Sequence, residues 1–409
     1  MSCDYNESFT SDVLPKKILF LTGTRADFGK LQPLIQELDE TANFECYIFA
    51  TGMHTLSRYG YTIEEIENKG FKKIFPYINQ IGSINSQMDL TLANTIQGLG
   101  RYVRELLPDM IVVHGDRVET LAGAIVGSLN NIIVAHVEGG EISGTIDELI
   151  RHAVSKLSHL HFVSNEEARH RLIQMGERKD SIFVIGSPEI DVMLSPNLPS
   201  FEALKKRYDI KFSDYAIFSY HPVTTELAML EENIRIVIDA IKESGWNFVV
   251  IYPNNDQGSE IILKSIELLE QDVHFRVLPS FRFEYFLTLL KNCKAIIGNS
   301  SAGIREAPVY GIPTINIGTR QMNRYNYKSI INVKEYKDEI LSAINDLPSS
   351  IIPSHYFGSG NSARKFVSAL KDSNLWKTPH QKQFNDLGIL TFNNYSAAKS
   401  KSQFLPENS

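Results

Sequence analysis

Two doubly wound α/β domains in tandem, Rossmann-like and facing one another across a cleft, are the fold class this sequence predicts. Three observations carry the prediction. Short β-rich apolar runs alternate with longer amphipathic segments, the pattern of parallel strands joined by crossover helices. The runs fall into two series, divided by the proline-bearing stretch "SPEIDVMLSPNLPS" (187–200). A chain of 409 residues also exceeds one ordinary hydrophobic core, so two domains are the default expectation.

In chain order, residues 1–14 are polar and read as a tail. The first domain, 15–190, holds the runs "ILFL" (18–21), "CYIFA" (46–50), "MIVV" (110–113), "IIVAHV" (132–137), "LHFV" (160–163) and "IFVI" (182–185). A hinge is expected over 191–204, where prolines interrupt the alternation. The second domain, 205–361, holds "YAIFSY" (215–220), "FVVIY" (248–252), "FRVL" (275–278), "AIIG" (295–298) and "TINI" (314–317). Residues 378–409 are polar with one short apolar patch, the composition of a loosely ordered tail.

The functional signal lies in the segments just past the runs. Open parallel sheets bind ligands beyond the carboxyl ends of their strands, so "TGTRADFG", "HGDR", "EGGE", "HPVTTE", "PNND", "NSSAG" and "GTRQ" are expected to line the cleft. A formal net charge of −7 without a Lys/Arg cluster argues against a nucleic-acid or anionic-membrane partner. No apolar stretch approaches the roughly 20 residues that span a bilayer. Three scattered cysteines make neither a disulfide framework nor a metal motif, and the cytoplasm is the expected compartment.

"GTRADFGK" (23–30) imitates a P-loop but has five residues between its glycines and Leu31 at the position where a P-loop has its hydroxyl. No strand end carries GxGxxG, so no nicotinamide cofactor is expected. The loop is instead read as an anion grip at a helix start, with Arg25 adding charge, or as a plain glycine turn. In "IIGNSSAGIREAPVYGIP" (296–313), Asn299, Ser300 and Ser301 offer hydroxyls and N–H groups at a helix start. Glu306 suits a ribose diol, Arg320 stands at the next strand end, and His221 at the end of the second domain's first strand faces the same point. Together these residues read as a nucleoside diphosphate site.

The first domain supplies acids: Asp116, Glu138, Glu141 and Asp147. Crowded carboxylates suit general acid and base work. Gly139 and Gly140 leave space for something bulky to approach. His114, His136, His152, His159 and His161 lack a ligand pattern and are expected to be hydrogen-bonded structural residues, so no metal is expected.

These motifs, with "HVEGGEISGTIDELIRHAVSKLSHLHFVSN" and "YPNND", resemble the hydrolysing UDP-N-acetylglucosamine 2-epimerases that begin bacterial sialic acid synthesis, over about 16–376. The resemblance implies the two-domain GT-B fold of nucleotide-sugar glycosyltransferases and a homodimer or homotetramer. A segment such as "SARKFVSALKDS" within 362–377 would cross back to the first domain. It implies UDP-N-acetylglucosamine as substrate, UDP and N-acetylmannosamine as products, and no cofactor. Position by position, Asp116, Glu138 and Asp147 match the catalytic acids, with Asp116 the base at C2 and the others sharing the ring cation, water and returning proton. Arg25, His221, Ser300, Ser301, Glu306 and Arg320 match nucleotide-binding positions; Asn254 is placed with them, and Arg282 near the uracil. Glu141 is expected to bond loop N–H groups.

The C2 proton of a pyranose has no adjacent carbonyl, so elimination of UDP to a glycal, followed by hydration, is the chemistry that needs no redox cofactor. Rival readings are a retaining glycosyltransferase, a nucleotide-sugar sensor, a relative acting on a 2,4-diacetamido-6-deoxy sugar, and the non-hydrolysing sister enzymes.

Overall fold

The structure, a computed structural model, describes residues 14–57, 60–80, 88–143, 146–253, 257–322 and 324–387. Each of the eleven apolar runs forms a strand, and all strand pairings are parallel. The first sheet has the order β3-β2-β1-β4-β5-β6-β7, with β1 Lys16–Thr22, β2 Phe44–Ala50, β3 Ile74–Pro76, β4 Met110–His114, β5 Ile133–Val137, β6 Leu160–Val163 and β7 Ile182–Val184. The second has the order β10-β9-β8-β11-β12-β13, with β8 Ala216–Ser219, β9 Phe248–Ile251, β10 Phe275–Leu278, β11 Ile296–Gly298, β12 Thr314–Ile317 and β13 Ile330–Val333. Both reverse direction beside their first strand, so β1/β4 and β8/β11 are switch points where the strand ends diverge and leave a crevice. The edge strands β3 and β13 are additions to the sequence reading. One ends in proline, the other is interrupted by Asn332 and only its first residue is fully buried.

Helices sandwich each sheet. In the first domain, α1 (Arg25–Asp39) packs on one face with Phe20, Leu31, Leu34 and Ile35 fully buried. α4 (Val118–Leu129) and α5 (Ile146–Leu157) cover the other face. The chain crosses between domains twice. It leaves the first through α7 (Pro188–Met193) and α8 (Phe201–Tyr208), so both ends of the stretch read as a hinge are helical and 194–200 joins them. It returns through α14 (Ser362–Lys371), whose Phe366 ring packs against Phe20 and Phe162. The Asp191 carboxylate caps α14 by accepting from Ser362 N at 3.0 Å and Ala363 N at 2.9 Å. At the double crossing Gly186 and Gly358, both at positive φ, nearly touch: a Cβ on Gly186 would lie 3.2 Å from the Gly358 Cα. Beyond α14, Trp376 stacks on Phe44, and Lys382, in the stretch read as a loose tail, donates to Ser155 O, Lys156 O and Ser158 O at the end of α5. Residues 388–409 lie outside the described part. Among the described residues no helix is long and apolar enough to cross a membrane.

Candidate functional site

The acids stand where β4 and β5 end. Asp116 lies two residues past β4 and accepts from Arg151 of α5. Arg151 also donates to Ser143 Oγ at 3.2 Å, which fixes its guanidinium against the "EGGE" turn. Arg151 lies four residues after Asp147, so one helix face carries both toward the cleft floor. Asp147 is half-buried in the first turn of α5, and its charge reaches Arg117.

Glu138 succeeds β5 in a left-handed conformation, φ +64°, and is only 4% exposed. A non-glycine residue rarely adopts that backbone, and here it turns the carboxylate inward. Its Oε1 accepts from Ser187 and from Arg305 Nη2 at 2.8 Å; its Oε2 lies 3.2 Å from His114 Nε2 and 3.6 Å from Lys30 Nζ. Burial opposes ionisation, but Arg305, Lys30 and His114 overcome it and hold the Glu138 carboxyl well below the ordinary range. Glu138 is therefore a fixed anion.

Arg305 belongs to the second domain, on α12 (Ala302–Arg305), and it reaches across to three first-domain acids. Besides Glu138 it pairs with Glu141, and its Nε donates to Glu189 of α7 at 3.0 Å. Its guanidinium lies 4.8 Å from the Phe357 ring centroid. Lys30 completes the cluster at 2.5 Å from Glu189, which is fully buried. Glu306 is the neighbour with an excess of negative charge. Burial, then Glu189, raises it to about 7, and its Oε2 has no hydrogen-bond partner.

Several expectations are corrected here. Among the described residues Glu141 accepts from Ser164 Oγ at 2.7 Å and from Arg305 and not from loop N–H groups, while Glu148 takes the Ser143 N–H at 2.8 Å. Gly140 makes room for protein and not for a ligand, since a Cβ there would lie 2.3 Å from Ala168 O. The N–H groups of the "GTRADFGK" loop are not an open anion grip. The Asp27 carboxylate accepts from Gly23 N at 2.9 Å and Thr24 N at 3.0 Å, the internal closure of a capping box. α12 is a single turn, so little helix dipole stands behind Ser300 and Ser301.

Of the residues expected on the nucleotide side, His221, Ser300, Ser301 and Arg320 stand at the ends of β8, β11 and β12 around Asn299. Its side chain accepts from His221 N at 2.6 Å and donates to His221 O at 2.9 Å, while its carbonyl accepts from Arg320 Nη1 at 3.1 Å and Gln321 Nε2 at 3.0 Å. The close approach depends on Gly298, φ +129°, where a Cβ would sit 2.1 Å from Ser219 O. Ser300 and Ser301 stand beside this clip, partly exposed. Arg25 and Arg282 come from different domains and meet on one acid, Glu65, at 2.9 and 3.8 Å. Asn254 lies outside the described residues.

All five histidines read as structural have partners within the fold. His136, lowered to about 3 by burial, donates from Nε2 to Gly115 O at 2.8 Å and accepts at Nδ1 from Ser155. His159, His161 and His152 face Val134 N, Glu177 and Glu148. His114 differs: it faces Glu138. Sequence reasoning missed His114, Lys30, Arg151, Ser187, Glu189, Arg305 and Arg324. For Arg151 the signal was available, since "DELIR" sets acid and base four apart; for Arg305 it was a lone cation inside the apolar "AGIREAP". Among the described residues no group of three or more His, Cys, Asp or Glu side chains is arranged to hold a metal ion.

The UDP-N-acetylglucosamine 2-epimerase family model matches residues 36–371. The chain is 44% identical, over 91% of its length and 100% of the relative, to a UDP-N-acetylglucosamine 2-epimerase of Neisseria meningitidis serogroup B. It is 32% identical, over 87% of its length and 96% of the relative, to the hydrolysing UDP-N,N'-diacetylbacillosamine 2-epimerase of Legionella pneumophila. A Methanocaldococcus jannaschii UDP-GlcNAc 2-epimerase, solved in complex with UDP-GlcNAc and UDP, shares the fold at a TM-score of 0.72 with 23% identity, over 87% of this chain and 99% of that one. With its two parallel-sheet domains of GT-B type, this chain belongs to the UDP-N-acetylglucosamine 2-epimerase family.

Proposed function

We propose that the protein is a hydrolysing 2-epimerase that converts UDP-N-acetylglucosamine and water to N-acetylmannosamine and UDP, the first step towards sialic acid. The observation that carries the reading is the division of charge across the cleft: Asp116 and Glu138 on the first-domain side, and Arg320, His221 and the Ser300–Ser301 hydroxyls around Asn299 on the other. A glycosyltransferase needs the second set but has no use for several carboxylates on the sugar side.

Arg320 and the hydroxyls stabilise the diphosphate as the C1–O bond breaks. The ring gains cationic character, which the permanent negative charge of Glu138 favours. Asp116, partly open to the cleft and oriented by Arg151, takes the C2 proton, and the C1–C2 double bond of a glycal forms. Water then adds its hydroxyl to C1 while a proton returns to C2 on the opposite face. Since Glu138 is held ionised, the water and the returning proton fall to Asp147, half-buried one turn from Arg151. Arg25, Arg282, Asn254 and Glu306 complete the nucleotide side in this reading, Glu306 on the ribose.

Proton NMR of the protein with UDP-N-acetylglucosamine in deuterated water tests the proposal. Free N-acetylmannosamine deuterated at C2, appearing with UDP, is the expected result. An epimer that keeps its UDP would overturn hydrolysis, and turnover only of the 2,4-diacetamido sugar would move the substrate to that of the Legionella relative.

A further inference from the structure

The loop after β12 carries two arginines four residues apart, and among the described residues only Arg320 has a hydrogen-bond partner. Arg320 is pinned to Asn299 O with Gln321, on the diphosphate side. Arg324 comes after Met322 and one undescribed residue, and its place is set by the adjoining Tyr325. The Tyr325 ring stacks on Tyr356 at 4.3 Å between centroids, meets Phe357 edge-on at 5.2 Å, and its hydroxyl lies 2.7 Å from Ser354 Oγ. Phe357 is the ring beneath Arg305. With Tyr325 anchored directly after it, Arg324 lines two spaces. One is a cavity of about 820 Å³ that Gln321, Met322 and Tyr325 also line; the other is a small gap of about 30 Å³ beside Glu141, Arg171 and Arg305.

In that position Arg324 is poorly compensated. Its Nε is buried without a hydrogen-bond partner. The charges acting on it are Arg151 and Arg305, which repel it, and Asp116 and Glu141, which attract it. Both acids already hold a cation of their own: Asp116 pairs with Arg151, and Glu141 with Arg305. Burial, then the two arginines, lower Arg324 to about 10. A part-buried guanidinium whose Nε is shut away from water without an acceptor costs free energy in the empty protein, and an acceptor brought by a ligand removes that cost.

The neighbours of Arg324 decide which part of a ligand this is. Arg324 shares the small gap with Glu141 and Arg305, members of the sugar-side cluster around Glu138, and among the charges acting on it is Asp116, which in the proposed reaction must meet the hydrogen on C2. The acceptor covalently attached to C2 is the acetamido group. Resting on that reading, we propose that Arg324 donates to the carbonyl oxygen of the C2 acetamido group and so selects 2-acetamido sugars over plain hexoses. An amide carbonyl accepts from an N–H without competing for the proton Asp116 must take. A UDP-hexose with a hydroxyl at C2 is shorter there, and leaves the guanidinium unsatisfied.

The test is calorimetric binding of UDP, UDP-glucose and UDP-N-acetylglucosamine to Asp116→Asn protein, which removes turnover, with Arg324 intact or changed to Met or Gln. With Arg324 intact, UDP-N-acetylglucosamine is expected to bind more tightly than UDP-glucose. Arg324→Met should weaken UDP-N-acetylglucosamine by about 10- to 100-fold, as for a lost charged hydrogen bond. UDP and UDP-glucose should stay within about 2-fold, and Gln, which keeps one donor, should fall between. An equal loss for UDP would make Arg324 a phosphate ligand and overturn the proposal; so would a preference that survives the substitution, or none to begin with. Release of UDP from UDP-N-acetylglucosamine by the unaltered protein is scored separately. Its absence refutes the reaction, while the binding series alone refutes the assignment of Arg324.

Discussion

Replacing Arg305 by Met tests whether the two domains are joined through charge. The side chain keeps its apolar stem beside Phe357 but loses every N–H that now reaches Glu138, Glu141 and Glu189. Lys30 and His114 remain, two partners for three largely buried carboxylates. Breaking a buried ion pair by removing one partner costs about 3–5 kcal/mol, because the other charge stays behind without compensation. For domains of this size that corresponds to a fall in melting temperature of about 6–20 °C. The pH dependence gives the sharper check. In the native protein Glu138 and Glu189 have lowered pKa values, so their contribution is complete above the ordinary carboxylate pKa and is lost as pH falls through their native values. Without Arg305, burial becomes the dominant influence and the pKa values rise. The variant then folds best with these acids protonated and weakens as pH increases. The melting-temperature gap between the two proteins, read by circular dichroism, should therefore be wider at pH 8 than at pH 5. A gap that is the same at both, or under about 2 °C, would refute the argument that Arg305 compensates buried charge.

Asp116→Asn keeps the side-chain shape but removes the base; turnover should fall by about 100- to 10,000-fold with UDP affinity unchanged, and retained turnover would take Asp116 out of the mechanism. Glu306, raised to about 7, keeps in the native state a proton that the unfolded chain releases near the ordinary carboxylate pKa, so its contribution to stability falls as pH rises between the two values. Glu306→Gln should accordingly gain in melting temperature on the unaltered protein from pH 5 to pH 8, while its UDP affinity drops about 10-fold if the carboxylate holds the ribose. Lys382 closes the end of α5 with three carbonyls and lies 2.5 Å from Glu177. Lys382→Met should cost about 1.5–3 kcal/mol by chemical denaturation and lower kcat, since α5 carries Asp147 and Arg151; full kcat would separate this anchor from the site.

The layers and the strand ends were legible in the amino-acid sequence alone. Central parallel strands are buried on both faces, so "MIVV" is apolar throughout and "IIVAHV" nearly so, and the glycines and polar residues that end them mark where chain emerges into the crevice. The edge strands β3 and β13 were not legible because β3 is only three residues, largely exposed and ending in proline, and β13 is four residues of which one alone is fully buried. Candidate acids and anion binders were legible as residue types at those ends. Their partners were not. Glu138 and Arg305 are 167 positions apart, and nothing local in "VEGG" or "GIRE" announces that they pair. Nor does a turn sequence show that Asp27 fills the loop expected to take an anion, or that Arg324 stands among charges already matched. Which acid is a fixed anion, which is free to move a proton and which cation has donors to spare depend on burial and on the sum of neighbouring charges. Those quantities exist only once two domains have closed on one another, so they are properties of the folded chain and of no segment of it.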